Sequence, residues 1–280
     1  MSKHDESCPA LLLEAAAVGY PGGPPALTDV RLCVHPGERV ALIGGNGTGK
    51  TALLKTLIGL LVPRAGRVRV HGRDVTGAPL AAVEAGASLV FQNPDDQLFG
   101  ATVREDALFG PLNQGVEPQL AQERVERALG ELGIAALAQR PIEALSFGEK
   151  KRACLAGVLC MQPSLLLLDE PSAGLDPLGE LAFVELLQQL SGPGRATLVC
   201  ATHAVDLVPL FAERVVLLAE GRIAADGPAS DVFRQTALLE RAHVRAPWLA
   251  ELWLRLHEGD WGDRAPPRTI AEAARRLQLR

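Results

Sequence analysis

Four leucines stand in a row at 165–168 with no polar residue between them. An apolar run of that length predicts a strand buried on both faces, as in a parallel sheet. Upstream, Ser146-Phe147-Gly148-Glu149 caps a helical run that ends near Gln162-Pro163, because proline cannot continue a helix and restricts its predecessor. Further short apolar runs predict strands at 11–18, 27–34, 39–43, 66–70, 87–91 and 196–201. Runs at 215–218 and 222–225 predict a hairpin around Glu220-Gly221. Helical spacing marks 52–61, a stretch from 102 to about 139 that includes 117–132, and 178–190. Strands alternating with helices place the chain in the α/β class.

The pattern changes after Ala229. Trp248, Leu249, Leu252, Trp253 and Leu256 fall at helical spacing, and the third tryptophan lies in Gly259-Asp260-Trp261-Gly262. Thr269-Ile270-Ala271-Glu272 has the form of a capping box. The tail therefore reads as a helical extension folded on the main domain, or as a self-association or docking surface.

Size and charge narrow the classes. A chain of 280 residues that is 48% hydrophobic can bury a full core, and 28 glycines with 20 prolines exclude a collagen-like or disordered chain. A net charge of −5 gives no pull toward nucleic acid or anionic membrane. The triplet Lys150-Lys151-Arg152 reads as a solvated helix face. Five cysteines without a C-x-x-C pair fit a reducing compartment, and the six histidines lack metal-ligand spacing. The N-terminus is polar, and no apolar run approaches the about 18 residues that would cross a bilayer. These features predict a soluble cytoplasmic chain whose membrane role, if any, comes through a partner.

The chemistry is concentrated at predicted strand ends. Gly44-Gly45-Asn46-Gly47-Thr48-Gly49-Lys50-Thr51 matches G-x-x-x-x-G-K-[ST] between a strand and a helix. Glycines let the backbone wrap a polyphosphate, successive N–H groups point at its oxygens, and the helix beginning at Ala52 adds its positive end. Lys50 can reach the β- and γ-phosphates, and the Thr51 hydroxyl can ligate Mg²⁺. Asp169 and Glu170 close the leucine strand, where ligands of open α/β sheets bind. His203 ends another strand and is placed to contact a γ-phosphate. Gln92 ends a third and is either structural or directed at the metal or attacking water. Tyr20, the only tyrosine, is either a strand-end aromatic or a platform for a base ring.

In this order, the phosphate loop, Gln92, Leu145-Ser146-x-Gly148-Glu149, Asp169-Glu170, Ala173-Gly174-Leu175-Asp176 and His203 resemble an ABC transporter ATP-binding subunit from about Leu11 to Phe233. The resemblance implies a P-loop NTPase (RecA-like) parallel-sheet core with an N-terminal antiparallel β subdomain, a helical subdomain insertion at about 100–160 and a C-terminal helical extension. The ATP-binding domain would span 10–228 and the extension 229–280. ATP would be held by Tyr20 as adenine-stacking aromatic, by Gly44, Gly45, Asn46, Gly47, Thr48, Gly49, Lys50 and Thr51 as Walker A, and by Ala52. Glu170 would be the catalytic base, assisted by His203, Gln92 and Lys50. Thr51, Gln92 and Asp169 would hold Mg²⁺. Ser146, Phe147, Gly148 and Glu149, where the family usually has Ser-Gly-Gly-Gln, would contact the ATP of a partner chain.

A narrower resemblance, to energy-coupling-factor importers, rests on Phe91 to Phe99, Phe109-Gly110-Pro111-Leu112-Asn113 and Lys150-Lys151-Arg152. Within it, Thr202-His203-x-Val205-Asp206-Leu207-Val208-Pro209 is similar to the cobalt and nickel branch, although Ala204 stands where that branch usually has Asp. The implied protein is an ATPase at the cytoplasmic face of the cell membrane that pairs with a copy of itself or a paralogue. It would also bind a transmembrane coupling subunit, docking near Gln92 to Phe99, and a substrate-binding membrane subunit, with no nucleic-acid partner. A shared vitamin-importer ATPase and a non-hydrolysing regulatory binder are the alternatives. DNA-repair ABC proteins need a coiled-coil insertion for which the 53 residues at 93–145 leave no room, and ribosomal ones carry two cassettes.

Overall fold

The computed structural model describes residues 8–257 and 265–277; Trp261 lies outside the described residues. The strands are β1 (Leu11–Val18), β2 (Leu27–Val34), β3 (Arg39–Ile43), β4 (Ala65–Val70), β5 (Arg73–Asp74), β6 (Ala87–Val90), β7 (Leu165–Asp169), β8 (Thr197–Ala201), β9 (Arg214–Ala219) and β10 (Arg222–Pro228). The helices are α1 (Lys50–Leu57), α2 (Pro79–Glu84), α3 (Val103–Asn113), α4 (Pro118–Glu131), α5 (Phe147–Leu159), α6 (Pro177–Leu190), α7 (Val208–Phe211), α8 (Ala229–Phe233), α9 (Thr236–Arg241), α10 (Trp248–Leu256) and α11 (Ile270–Arg276).

Strands β3, β6, β7, β8 and β9 run parallel in a six-stranded sheet of order β10-β9-β3-β8-β7-β6, with β10 antiparallel at its edge. A second, antiparallel sheet has the order β2-β1-β4-β5. The period-two alternation of strand side chains explains why the leucine run has no polar side. Leu166 and Leu168 enter a core shared with α3, α4, α5 and the C-terminal helices, whereas Leu165 and Leu167 enter a core shared with α1 and the antiparallel sheet. Both faces are covered, as the α/β reading requires.

Several boundaries differ from the sequence expectation for physical reasons. Helix α1 stops at Leu57 rather than continuing to 61. Gly59 adopts φ 77°, its N–H donates to the Thr56 carbonyl, and the Leu60 N–H donates back to Lys55. This is a Schellman stop. Helix α5 ends at Leu159, and Gln162 takes φ 53° before Pro163. In α10 the expected apolar stripe is divided. Ala250, Trp253 and Leu254 are buried in the core, while Trp248, Leu252 and Leu256 face outward. At α11, Thr269 accepts from Glu272 N–H as expected, but the Glu272 carboxylate accepts from Arg268 N–H rather than closing the box on Thr269.

Candidate active site

The loop after β3 is drawn tight by its own residues. The Thr48 hydroxyl donates to the Gly45 carbonyl (2.9 Å), and the Lys50 ammonium donates to the carbonyls of Gly44 (2.9 Å) and Gly45 (3.2 Å). Gly49 holds φ 97°, and a Cβ there would stand 3.0 Å from Leu27 Cγ, so the loop lies directly on β2. Lys50, Thr51 and Ala52 form the first turn of α1, where unpaired N–H groups and the helix dipole favour an anion.

Strand pairing sets the acidic residues opposite the histidine. Asp169 on β7 is in register with Ala201 on β8, so Glu170 and His203 leave adjacent strands at the same end. Glu170 is buried and adopts φ 48°, a left-handed conformation uncommon outside glycine. It is held at both backbone groups: its N–H donates to the Ala201 carbonyl (2.9 Å), and its carbonyl accepts from Lys151 Nζ (2.9 Å). Its Oε2 accepts from the His203 N–H (3.1 Å) and is hydrogen-bonded to His203 Nδ1 (2.7 Å), while Oε1 lies 3.8 Å from Lys50 Nζ. Burial pushes the Asp169 carboxyl above the usual carboxylate range, opposed by a hydrogen bond from the Thr51 side chain. Its Oδ1 is buried without a hydrogen-bond partner among the described residues.

Gly44, Gly45, Asn46, Gln92, Glu170 and His203 line a single cavity of about 510 Å³, together with the segment His243 to Arg245 of the C-terminal extension. Tyr20 is not in its wall. The ring is half-exposed near α1, with the Lys55 ammonium 5.7 Å from its centroid. Ser146, Phe147, Gly148 and Glu149 are also absent from the cavity. They form the head of α5, where a capping box joins Ser146 and Glu149: Ser146 N–H donates to Glu149 Oε2 (2.7 Å) and Glu149 N–H to Ser146 Oγ (3.4 Å). The Ser146 N–H holds the Glu149 carboxyl below its ordinary pKa. Phe147 packs on Gly174, where a Cβ would come within 2.7 Å of the ring.

The basic triplet does not form a solvated face. Lys151 is 4% exposed and donates to the carbonyls of Gln92 and Glu170, and burial lowers its pKa. Lys150 pairs with Asp95 at 2.6 Å. Helical spacing carried the signal, since Lys151 shares its face with the buried Cys154, Leu155 and Val158. Beside it, Gln97 accepts from Phe91 N–H (3.0 Å) and donates to the Cys154 carbonyl (3.2 Å), stapling the loop after β6 to α5. The contribution of residues 243–245 to the cavity had no signal in the sequence, because nothing at 45 or 206 announces a contact so distant along the chain.

Three comparisons bear on this geometry. The "ABC transporter" family model matches residues 27–173. A Geobacter sulfurreducens protein provisionally named as an ABC transporter ATP-binding protein is 47% identical, covering 95% of both chains. The energy-coupling factor transporter ATP-binding protein EcfA of Methanothermobacter thermautotrophicus is 42% identical over 87% of this chain and 79% of its own. The solved structure of cbiO1 from Clostridium perfringens, part of the ABC transporter complex cbiONQ, superimposes with a TM-score of 0.72 and 35% identity, over 88% of this chain and 99% of cbiO1.

Proposed function

The chain belongs to the ABC transporter ATP-binding family, in its energy-coupling-factor branch, and is an ATPase coupled to transport; from this we propose that it works as a head-to-tail homodimer powering uptake of a transition metal ion, cobalt or nickel. The observation that carries the hydrolytic reading is the Glu170 carboxylate, held between His203 and Lys50 in the cavity beside the phosphate loop. The metal reading rests on the 202–209 pattern. Ala204 favours the second reading, a shared vitamin-importer ATPase.

In this reading, residues 10–228 are the ATP-binding domain, with its helical subdomain at about 100–160, and 229–280 the extension. ATP lies along Gly44 to Ala52, with Lys50 at the β- and γ-phosphates and Tyr20 against the adenine. Mg²⁺ fits the donors present: the buried, unpartnered Asp169 Oδ1 is an oxygen that a hard cation satisfies, and Thr51 stands beside it. Thr51, Asp169 and Gln92 would hold the ion, which when bound neutralises phosphate charge. Glu170 accepts a proton from a water as its oxygen bonds to the γ-phosphorus and the bond to the β,γ-bridging oxygen breaks. His203 orients Glu170 and contacts the γ-phosphate.

Because Ser146 and Gly148 lie outside the cavity of their own chain, a second chain supplies them, together with Phe147 and Glu149. The membrane coupling subunit docks in the open groove of about 700 Å³ lined by Leu80, Gln97, Phe99, Phe109 and Met161. Phe99 and Phe109 meet there edge-to-face, 4.6 Å apart and largely exposed. No described helix is long and apolar enough to cross a membrane, so attachment to the cytoplasmic face runs through that partner and the substrate-binding membrane subunit. Purification in mild detergent from native membranes tests this. A polytopic membrane protein with this chain as sole ATPase supports the metal importer, a related ATPase in equal amount selects the vitamin-type importer, and no membrane partner contradicts both.

A further inference from the structure

The C-terminal extension touches the ATPase site at two separate points. At the first, Gly45 of the phosphate loop donates its N–H to the Ala242 carbonyl at 3.0 Å. A Cβ at residue 45 would sit 3.0 Å from that oxygen and 3.1 Å from His243 Cβ, so glycine is what allows the two backbones to meet. His243 then turns with φ 54°, and the chain runs along the cavity wall to Arg245. At the second point, the Arg245 guanidinium donates to both carboxylate oxygens of Asp206 and stacks 4.2 Å from the Trp248 ring. The Trp248 N–H donates to the same carboxylate at 2.7 Å. Asp206 lies three residues beyond His203 in one compact turn, in which Val205 N–H donates to the His203 carbonyl and Leu207 N–H to the Ala204 carbonyl. A closed circuit results: phosphate loop, Ala242, Arg245, Asp206, His203, Glu170.

We propose that Asp206 is a positioning residue of the ATPase site, tying the His203 loop to segment 242–248 of the extension, which braces the phosphate loop from its other end. The proposal rests on the reading of Glu170 and His203 given above. A purely structural ion pair is the competing role, and magnitudes separate the two. The side chains of Asp206 and Arg245 are 39% and 43% exposed, and a pair so placed adds little to stability. A two-pronged guanidinium–carboxylate contact nevertheless fixes geometry, and small misplacements of catalytic groups are costly in rate. The brace therefore acts on turnover rather than on folding or on ATP affinity.

The test is steady-state ATP hydrolysis by the full chain carrying Asp206→Ala, Arg245→Ala or both, with thermal melts alongside. Each single variant is expected to lower kcat roughly 10- to 100-fold, with KM for ATP and the melting temperature close to wild type. The double variant should be no slower than the worse single, because the two residues act through each other. Wild-type kcat in Asp206→Ala overturns the proposal, as do losses that multiply in the double variant. A raised KM confined to Arg245→Ala also overturns it, making Arg245 a phosphate contact instead. Glu170→Gln is run as a control. If it hydrolyses ATP normally, the site assignment has failed rather than the brace.

Discussion

Glu170 carries two burdens, a left-handed backbone and a carboxylate shared between His203 and Lys50. Replacing it with glutamine keeps the shape and removes the proposed base. Glu170→Gln is therefore expected to bind ATP normally and to turn over roughly 10²–10⁴-fold more slowly, and turnover near wild type would remove Glu170 from the mechanism. Asp169 gives a pH signature. Burial raises its folded-state pKa, so the folded state binds the extra proton and stability declines as pH climbs from about 4 through that raised value. Asp169→Asn should accordingly melt higher than wild type near pH 7, with the gap closing toward pH 4, while losing Mg²⁺-dependent ATP binding. A lower melting temperature at neutral pH would contradict this. Lys151 shows where residue-level reading fell short, because a run of three basic residues suggests solvent, whereas its periodicity places the middle one inside. Lys151→Ala leaves two carbonyls without their donor and should cost about 1–3 kcal/mol in urea unfolding; no change would return Lys151 to the surface.

Elements were legible where one local rule decided them. The strands 11–18, 27–34 and 39–43 appear with the expected bounds, because alternation or an unbroken apolar run meets a Gly/Pro turn at each end. Helix α5 begins at Phe147 because Ser146 and Glu149 close a capping box, a role that the glutamine usual in the family fills equally well. Packing decided what local rules could not. Gly59 stops α1 early, and a Cβ there would meet the Val75 carbonyl oxygen at 2.6 Å. The face that α10 buries was likewise set by the core it meets. The loop 173–176 is tied to α5 through Gly174, which combines φ 81° with the Phe147 ring. Gly174→Ala should destabilise the chain by about 1–3 kcal/mol from backbone strain alone, with a further loss of ATPase activity as Phe147 moves. A variant with unchanged melting and activity would show that the loop and the helix head are not coupled.

Across the whole molecule, the sheet gathers Gly44, Gln92, Glu170 and His203 at one end, as the ordered motifs led one to expect. The family resemblance also implied a partner, and an α5 head that lies outside the cavity of its own chain is consistent with that expectation. The extension's grip on the site was not legible. Residues 45 and 242 touch through backbone groups, which leave no side-chain pattern to read. Head-to-tail pairing is tested most directly by mixing two inactive chains, Lys50→Ala and Ser146→Ala, and measuring ATP hydrolysis. If each site uses Lys50 of one chain and Ser146 of the other, the mixed dimer holds one intact site. Activity should then return to about a quarter of wild type, since half the dimers are mixed and half their sites are whole. A mixture as inactive as its two components would contradict a site shared between chains.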